Sequence, residues 1–139
     1  MRTQGLGAWL PRRRLRDPQK VAVIYGEDQR LTYAEIADGA ERFAAVLAEL
    51  GVGPGDAVAF LGENSPEFVL TMFGTVRGGG VFVPVNTRLA APEIAHVLRD
   101  SGAVVLVHEP AFDARLDDAL SDGPGPAHQL VGQSGCDPL

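Results

Sequence analysis

The sequence predicts an α/β fold of alternating helices and mostly parallel strands, preceded by a short hairpin. Three observations carry this. From residue 31 onward the elements alternate helix, strand, helix, strand, helix, strand. The strands are continuous apolar runs rather than alternating ones, the pattern of a parallel sheet covered on both faces. The helices carry their own start and stop signals, so their boundaries can be read locally.

The first 20 residues form a basic segment. They hold six basic side chains against one acidic, while residues 21–139 hold six basic and seventeen acidic. A short helix over 6–16 would put Leu6, Trp9 and Leu10 on one face, with Pro11 and Pro18 limiting it. VAVIY at 21–25 is a β-branched strand, GEDQ at 26–29 a turn, and Leu31-Thr32 the returning strand of a hairpin.

Residues 33–50 are the clearest helix. Thr32 and Glu35 form a T-x-x-E capping box. Ile36, Ala40, Phe43, Leu47 and Leu50 make one apolar stripe. Asp38 and Arg42 are spaced as an i, i+4 ion pair. Gly51 ends the helix as a left-handed cap. GVGPGD at 51–56 connects to a buried strand, AVAFLG at 57–62.

Ser65-Pro66-Glu67 opens the second helix with an N-cap, a first-turn proline and a first-turn acid. Phe68, Val69, Leu70, Met72, Phe73 and Val76 leave it almost no polar face, which predicts burial on most sides. Gly78–Gly80 break it before VFVPV at 81–85, where Pro84 is expected at a strand end or bulge. A third helix is expected from about 92 to 101, closed by Gly102, then a strand at 103–107 and a weaker helix at 110–121. The stretch 123–139 is rich in Gly and Pro, with only QLV at 129–131 able to extend.

Composition excludes several classes. The chain has 139 residues, 45% apolar and 22% charged, with net charge −6. This argues against a disordered chain and against a general nucleic-acid binder. No apolar run approaches the ~18 residues of a membrane-spanning helix, and the start lacks a secretory apolar region. A single cysteine, Cys136, leaves no internal disulfide or Cys-based zinc cluster and fits a reducing, cytoplasmic setting.

Motifs for chemistry are sparse. G-V-G-P-G at 51–55 precedes a strand, whereas a phosphate loop follows one and opens a helix, so it reads as a structural turn. Gly5-x-Gly7 lacks a third glycine, and Gly78–Gly80 also precede a strand. The only lysine is Lys20. His96 falls on the polar face of its helix, and His128 lies in the tail. His108 ends a strand, on the side where α/β sheets bind ligands, and is the best functional candidate of the three. No nucleophile or metal partner is spaced with it. Cys136 has no cationic neighbour to activate it. Arg12, Arg13, Arg14 and Arg16, beside Trp9 and Leu10, suit weak peripheral contact with an anionic membrane; the alternative is that they meet the protein's own acidic surface.

Taken in order, residues 31–107 nevertheless resemble one family. L-T-Y-x-E precedes a helix and G-V-x-P-G-D a strand. E-N-S-P-E-F opens the next helix, followed by G-x-V-x-x-G-G-x-x-V-P-V-N-x-R-L. Together these resemble the N-terminal part of the AMP-forming acyl-CoA synthetases, in the adenylate-forming (AMP-dependent synthetase and ligase) superfamily. N-T-R-L-A-A-P-E at 86–93 is most similar to the fatty-acyl-CoA ligase branch. The resemblance covers about residues 6–120.

Between the basic segment at 1–20 and the Gly/Pro-rich tail at 123–139, it implies a partial AMP-binding domain at 21–122, an incomplete N-terminal subdomain, with the tail as the truncation point. It further implies a ligase that joins a fatty acid or other carboxylic acid to coenzyme A through an acyl-adenylate, using ATP and Mg, in the cytoplasm. The Ser/Thr/Gly-rich phosphate loop, the ribose-binding acid, the hinge and the catalytic lysine of that family have no counterpart in residues 1–139. No catalytic, cofactor-binding or metal-binding residue is therefore assigned. The chain alone is expected to be inactive and to bind none of these cofactors, its partner being the remainder of the enzyme. Asn64, Asn86 and Arg88 match family positions and read as structural. The alternative function is a non-catalytic α/β binding or interaction module derived from such an enzyme.

Overall fold

The computed structural model describes residues 5–132. Cys136 and the end of the 123–139 segment lie outside the described residues.

Helix α1 spans Leu6–Arg16. It runs through Pro11, contrary to the expected limit. The proline removes only one helical hydrogen bond, one turn in from the N-terminus, and packing holds the helix. Leu10 is buried with Ile36, Ala37, Ala40 and Leu70. The Trp9 ring stacks on Phe73 with centroids 5.7 Å apart. Strands β1 (Val21–Tyr25) and β2 (Gln29–Thr32) form the expected antiparallel hairpin.

Helix α2 spans Tyr33–Glu49. Its capping box is present: the Glu35 N–H donates to Thr32 Oγ1 at 3.2 Å and the Thr32 N–H to Glu35 Oε2 at 2.8 Å. At the other end Gly51 has φ +79°. The Val52 N–H donates to the Leu47 carbonyl and the Gly51 N–H to that of Ala48. This is the paired closure that a left-handed residue permits. The expected Asp38–Arg42 pair does not form. Asp38 instead pairs with Arg14 of α1, because the tertiary fold brings a guanidinium from another helix to the same carboxylate.

Four parallel strands make the main sheet, in the order β4-β3-β5-β6: β3 (Ala57–Leu61), β4 (Val81–Val85), β5 (Val105–His108) and β6 (His128–Val131). The central strands β3 and β5 are buried throughout. The prediction of burial on both faces fails for β4, whose position is the sheet edge and whose Val81 is 50% exposed. Pro84 lies within β4 opposite Phe60 rather than at its end or at a bulge. The edge explains this. The Val81 N–H points into the sheet, to the Asp56 carbonyl, so alternation along the strand turns the nitrogen of residue 84 to the open side. His128 is likewise not in a loose tail but opens strand β6.

Helices cover the sheet unequally. α4 (Ala91–Ser101) and α5 (Asp113–Leu120, entered through a 3-10 turn at Pro110–Phe112) pack against Ala57, Ala59, Leu61 and Leu106. α2 and α3 (Pro66–Arg77) lie on the face of Val58, Phe60, Val105 and Val107. Ser65 caps α3 by accepting the Phe68 N–H at 3.3 Å. The expected burial of α3 on most sides does not hold. Its buried positions are Pro66, Glu67, Leu70, Thr71, Gly74 and Thr75. Phe68, Val69, Met72, Phe73 and Val76 are only half-buried. A Cβ on Gly74 would come within 2.7 Å of Phe43 and 2.9 Å of the Ala40 carbonyl. Gly74 therefore lets α3 approach α2 closely, while Phe68 lies over β3 and β4 and Phe73 packs against Trp9 of α1.

Candidate functional site

In an open parallel sheet, ligand-binding loops gather at the carboxyl ends of the strands, where neighbouring strands send their chains to opposite faces. Here β3 is flanked by two such points, one toward β4 and one toward β5, and the second carries His108. After β3 the chain turns to α3, and after β5 to α5 on the other face. Leu61 and His108 end the two strands in register. At this strand-end crevice stand Gly62, Glu63, Asn64 and Ser65 after β3, and His108 and Glu109 at and just after the end of β5.

Its floor is filled. A Cβ on Gly62 would lie 2.9 Å from the Cγ and Cδ of Glu109, so the Glu109 side chain folds over that glycine. The Glu109 N–H donates to the Leu61 carbonyl at 3.1 Å, closing the strand ends together.

His108 is 6% exposed and lies on the α5 side of the sheet. Its Nδ1 is 3.2 Å from Asp113 Oδ1 at the start of α5 and 3.4 Å from the Glu109 carbonyl. An acid beside an imidazole can fix a tautomer and orient the ring. No hydroxyl or thiol hydrogen-bonds to that ring among the described residues, so no nucleophile–base pair is assembled. The structure thus gives His108 the position the sequence suggested and an unexpected partner, Asp113.

The other candidates sit apart or act on the backbone. Asn64 is exposed at the entry to α3. Asn86 Oδ1 accepts the Arg88 N–H at 2.9 Å, a side-chain-closed turn after β4. Arg115, which no motif pointed to, pins that turn by donating to the Thr87 and Leu89 carbonyls. His96 is exposed on α4. The glycines of 51–55 lie at the opposite end of the sheet, where the Gly55 N–H donates to the Gly79 carbonyl at 2.9 Å and the two glycine turns hold each other. Gly7 faces the Val76 carbonyl, which a Cβ there would approach to 2.6 Å, and so seats α1 against α3.

The basic segment meets its own protein. Arg13 pairs with Asp17 at 3.1 Å, Arg16 approaches the same carboxylate at 4.0 Å, and Arg14 pairs with Asp38. The Arg13 guanidinium also lies 4.9 Å above the Tyr33 ring. Arg12 is exposed. These contacts favour the second of the two readings open for the arginines.

The residues at the crevice do not fit a nucleotide triphosphate or a metal ion. Its near side chains include the acids Glu63, Glu109 and Asp113. The nearby arginine Arg115 is committed to carbonyl groups. No group of three or more metal-ligating side chains occurs among the described residues. A feature that sequence reasoning passed over is Glu67. Its place in the sequence marks a first-turn charge, yet it is 8% exposed and lines a cleft beside α2.

Known proteins provide an independent comparison. Residues 10–136 match the family model of AMP-binding enzymes. Feruloyl-CoA synthase of Amycolatopsis sp is 49% identical over 110 residues, which are 79% of this chain and 22% of that protein. Long-chain-fatty-acid–CoA ligase FadD13 of Mycobacterium tuberculosis is 43% identical over 109 residues, 76% of this chain and 21% of that protein. The solved structure of a Mycobacterium tuberculosis fatty acyl CoA synthetase superposes with a TM-score of 0.83 at 38% identity, covering 91% of this chain and 26% of its own. The chain therefore spans about a quarter or less of the length of these proteins.

Proposed function

Because the chain belongs to the family of AMP-binding enzymes, we propose that it is the N-terminal part of an ATP-dependent carboxylic acid–CoA ligase acting on fatty acids in the cytoplasm. The observation that carries this reading is the family match across residues 10–136. The N-T-R-L-A-A-P-E segment supports the fatty-acid branch. The 49% identity to a feruloyl-CoA synthase favours a second substrate reading, an aromatic acid.

In the whole protein, ATP, Mg and coenzyme A supply an acyl-adenylate and then a thioester. This chain provides no step of that chemistry. Its parallel sheet and the helices α2 to α5 act as scaffold, and the acidic crevice between β3 and β5 holds no group suited to phosphate. The non-catalytic module remains the alternative, and it shares this scaffold.

Three measurements test the reading. The 139-residue protein should give no ATP–pyrophosphate exchange above a heat-killed control with either fatty or cinnamic acids. Catalysis needs about 8 kcal/mol or more of barrier lowering, and no described residue is placed to supply it. Reading the gene beyond codon 139 should reveal a Ser/Thr/Gly-rich loop ending in Pro-Lys-Gly. Exchange by the short chain would overturn the inactivity, and an immediate stop codon would favour the module. Expressed in full, such a frame should form hydroxamates with fatty acids in preference to cinnamic acids; the reverse order would move it to the aromatic reading.

A further inference from the structure

The dipeptide Asp–Gly occurs twice in the chain, at Asp38-Gly39 and at Asp122-Gly123. It carries a chemistry of its own. The backbone nitrogen of the glycine can attack the side-chain carboxyl carbon of the aspartate, because a glycine has no Cβ to block the approach. A C–N bond forms, water leaves, and the product is a cyclic succinimide. Water then opens the ring at either carbonyl. One opening returns aspartate; the other leaves isoaspartate, whose main chain runs through the former side chain. The two steps expel and take up one water, and no other reactant enters.

The attack needs an aspartate backbone free to rotate and a glycine N–H free of hydrogen bonds. The fold treats the two copies differently. Asp38 and Gly39 lie within α2, whose backbone ladder fixes both. Asp38 is ion-paired with Arg14. Gly39 is buried, and a Cβ there would come within 2.5 Å of Leu70 Cδ2.

Asp122 and Gly123 follow α5 in an exposed turn. The Gly123 N–H makes no hydrogen bond to a described residue. Beyond its chain neighbours, no atom lies within 4 Å of where a Gly123 Cβ would stand. The turn is slack between two anchors. Leu120 packs against the α4–α5 core, and a Cβ on Gly125 would lie 2.8 Å from Leu120 Cδ2. The extra main-chain carbon of an isoaspartate is therefore taken up in the turn, and the packed elements on either side keep their places.

We propose that Asp122 is a site of spontaneous isomerisation to isoaspartate, and that α2 protects the same dipeptide at Asp38. The proposal does not rest on the ligase reading.

The test incubates the 139-residue protein in heavy-oxygen water at neutral pH and physiological temperature. Opening of the succinimide inserts one solvent oxygen. Peptide mapping with electron-transfer fragmentation reads that label, and isoaspartate, at each residue. Label should build up at Asp122 about tenfold or more faster than at Asp38, since a packed helix opens less often than an exposed turn. In urea the two sites should label at comparable rates. Gly123→Ala should lose most of the Asp122 label, because its methyl group hinders the attacking nitrogen. The space there is open and the backbone is not left-handed, so far-UV circular dichroism should be unchanged. No label at Asp122, or equal label at both sites of the folded protein, would overturn the proposal. So would an undiminished ratio in urea, because neighbouring sequence rather than the fold would then set it. Full label in Gly123→Ala would rule out the succinimide route. Should that variant not fold, the comparison of folded with unfolded wild type decides.

Discussion

The two faces of the main sheet are packed by different means. On the α4–α5 face, large apolar side chains interlock: Ile94 and Leu98 of α4, Phe112 before α5, and Leu116 within it meet Leu61 and Leu106 of the strands. On the α2–α3 face, the helices approach through glycines, Gly39 against Leu70 and Gly74 against Phe43. There α3 turns threonines and a glutamate inward and leaves its aromatic residues half-exposed. Phe68 stands edge-on between Phe60 and Phe82, at centroid distances of 5.4 and 5.3 Å. The first face is closed by volume. The second is closed by proximity, and its outer flank offers apolar surface at the edge strand β4. Phe68 and Phe82 stay partly accessible there.

The largest expected effect tests closure by volume. Leu106 is fully buried in β5, at the centre of the α4–α5 core. Leu106→Ala should cost about 2–5 kcal/mol, the transfer term plus the cavity left behind. A urea titration reads it, and a loss below about 1 kcal/mol would mean that this core collapses around the gap.

Closure by proximity predicts the opposite sensitivity. Gly74→Ala adds a single methyl group, yet its Cβ would lie 2.7 Å from Phe43 Cδ1 and 2.9 Å from the Ala40 carbonyl. The side chain can turn aside but the backbone oxygen cannot move freely. The expected loss is about 1–3 kcal/mol by overpacking. An unchanged or raised urea midpoint would show that α2 and α3 can separate without cost, and the contrast between the faces would fall.

Much of the α4–α5 side was legible in the sequence, and less of the α2–α3 side. Caps and stops are local, so Thr32 with Glu35, Ser65, Gly51 and Gly102 all appear where the sequence put them. Burial of β3 and β5 followed from their apolar runs. Strand β4 carries the same kind of run, but its place at the edge depends on strand order, which composition does not encode. The inward face of α3 was misread because hydrophobicity ranks Phe and Met above Thr and Gly, whereas helix approach is decided by size. Pairing of Asp38 with Arg14 rather than Arg42 is a tertiary choice between two guanidinium groups. At the candidate site, the location of His108 followed from its strand end. The contacts of Asp113 and Arg115 and the burial of Glu67 did not, since nothing in their local sequence marks a long-range neighbour.

A smaller effect checks that local signals carry energy as well as geometry. Thr32→Ala removes the Oγ1 that accepts the Glu35 N–H and should destabilise the protein by about 1 kcal/mol. Thr32→Ser, which keeps the hydroxyl, should recover most of it. Equal midpoints for Ala and Ser would mean that the cap contributes nothing beyond the chain's path.

The smallest effect has the opposite sign and probes the polar atoms on the proximity-packed face. Thr75 is completely buried, and its Oγ1 has no hydrogen-bond partner among the described residues. Its Cγ2 lies where a Cβ on Gly80 would come within 3.0 Å, and its carbonyl accepts the Gly80 N–H at 2.9 Å. The methyl and the backbone are thus used at the turn from α3 into β4, and the hydroxyl is not. Valine keeps the shape and the β-branched rotamer preference while removing the unsatisfied oxygen. An unpartnered buried hydroxyl costs about 1–3 kcal/mol, of which repacking around valine recovers only part. Thr75→Val should therefore raise stability by up to about 1 kcal/mol, whereas Thr75→Ser, which keeps the hydroxyl and loses the methyl, should lower it. A fall on Thr75→Val would show that the hydroxyl has a partner, and the α2–α3 face would then be held by polar contacts as well as by glycine.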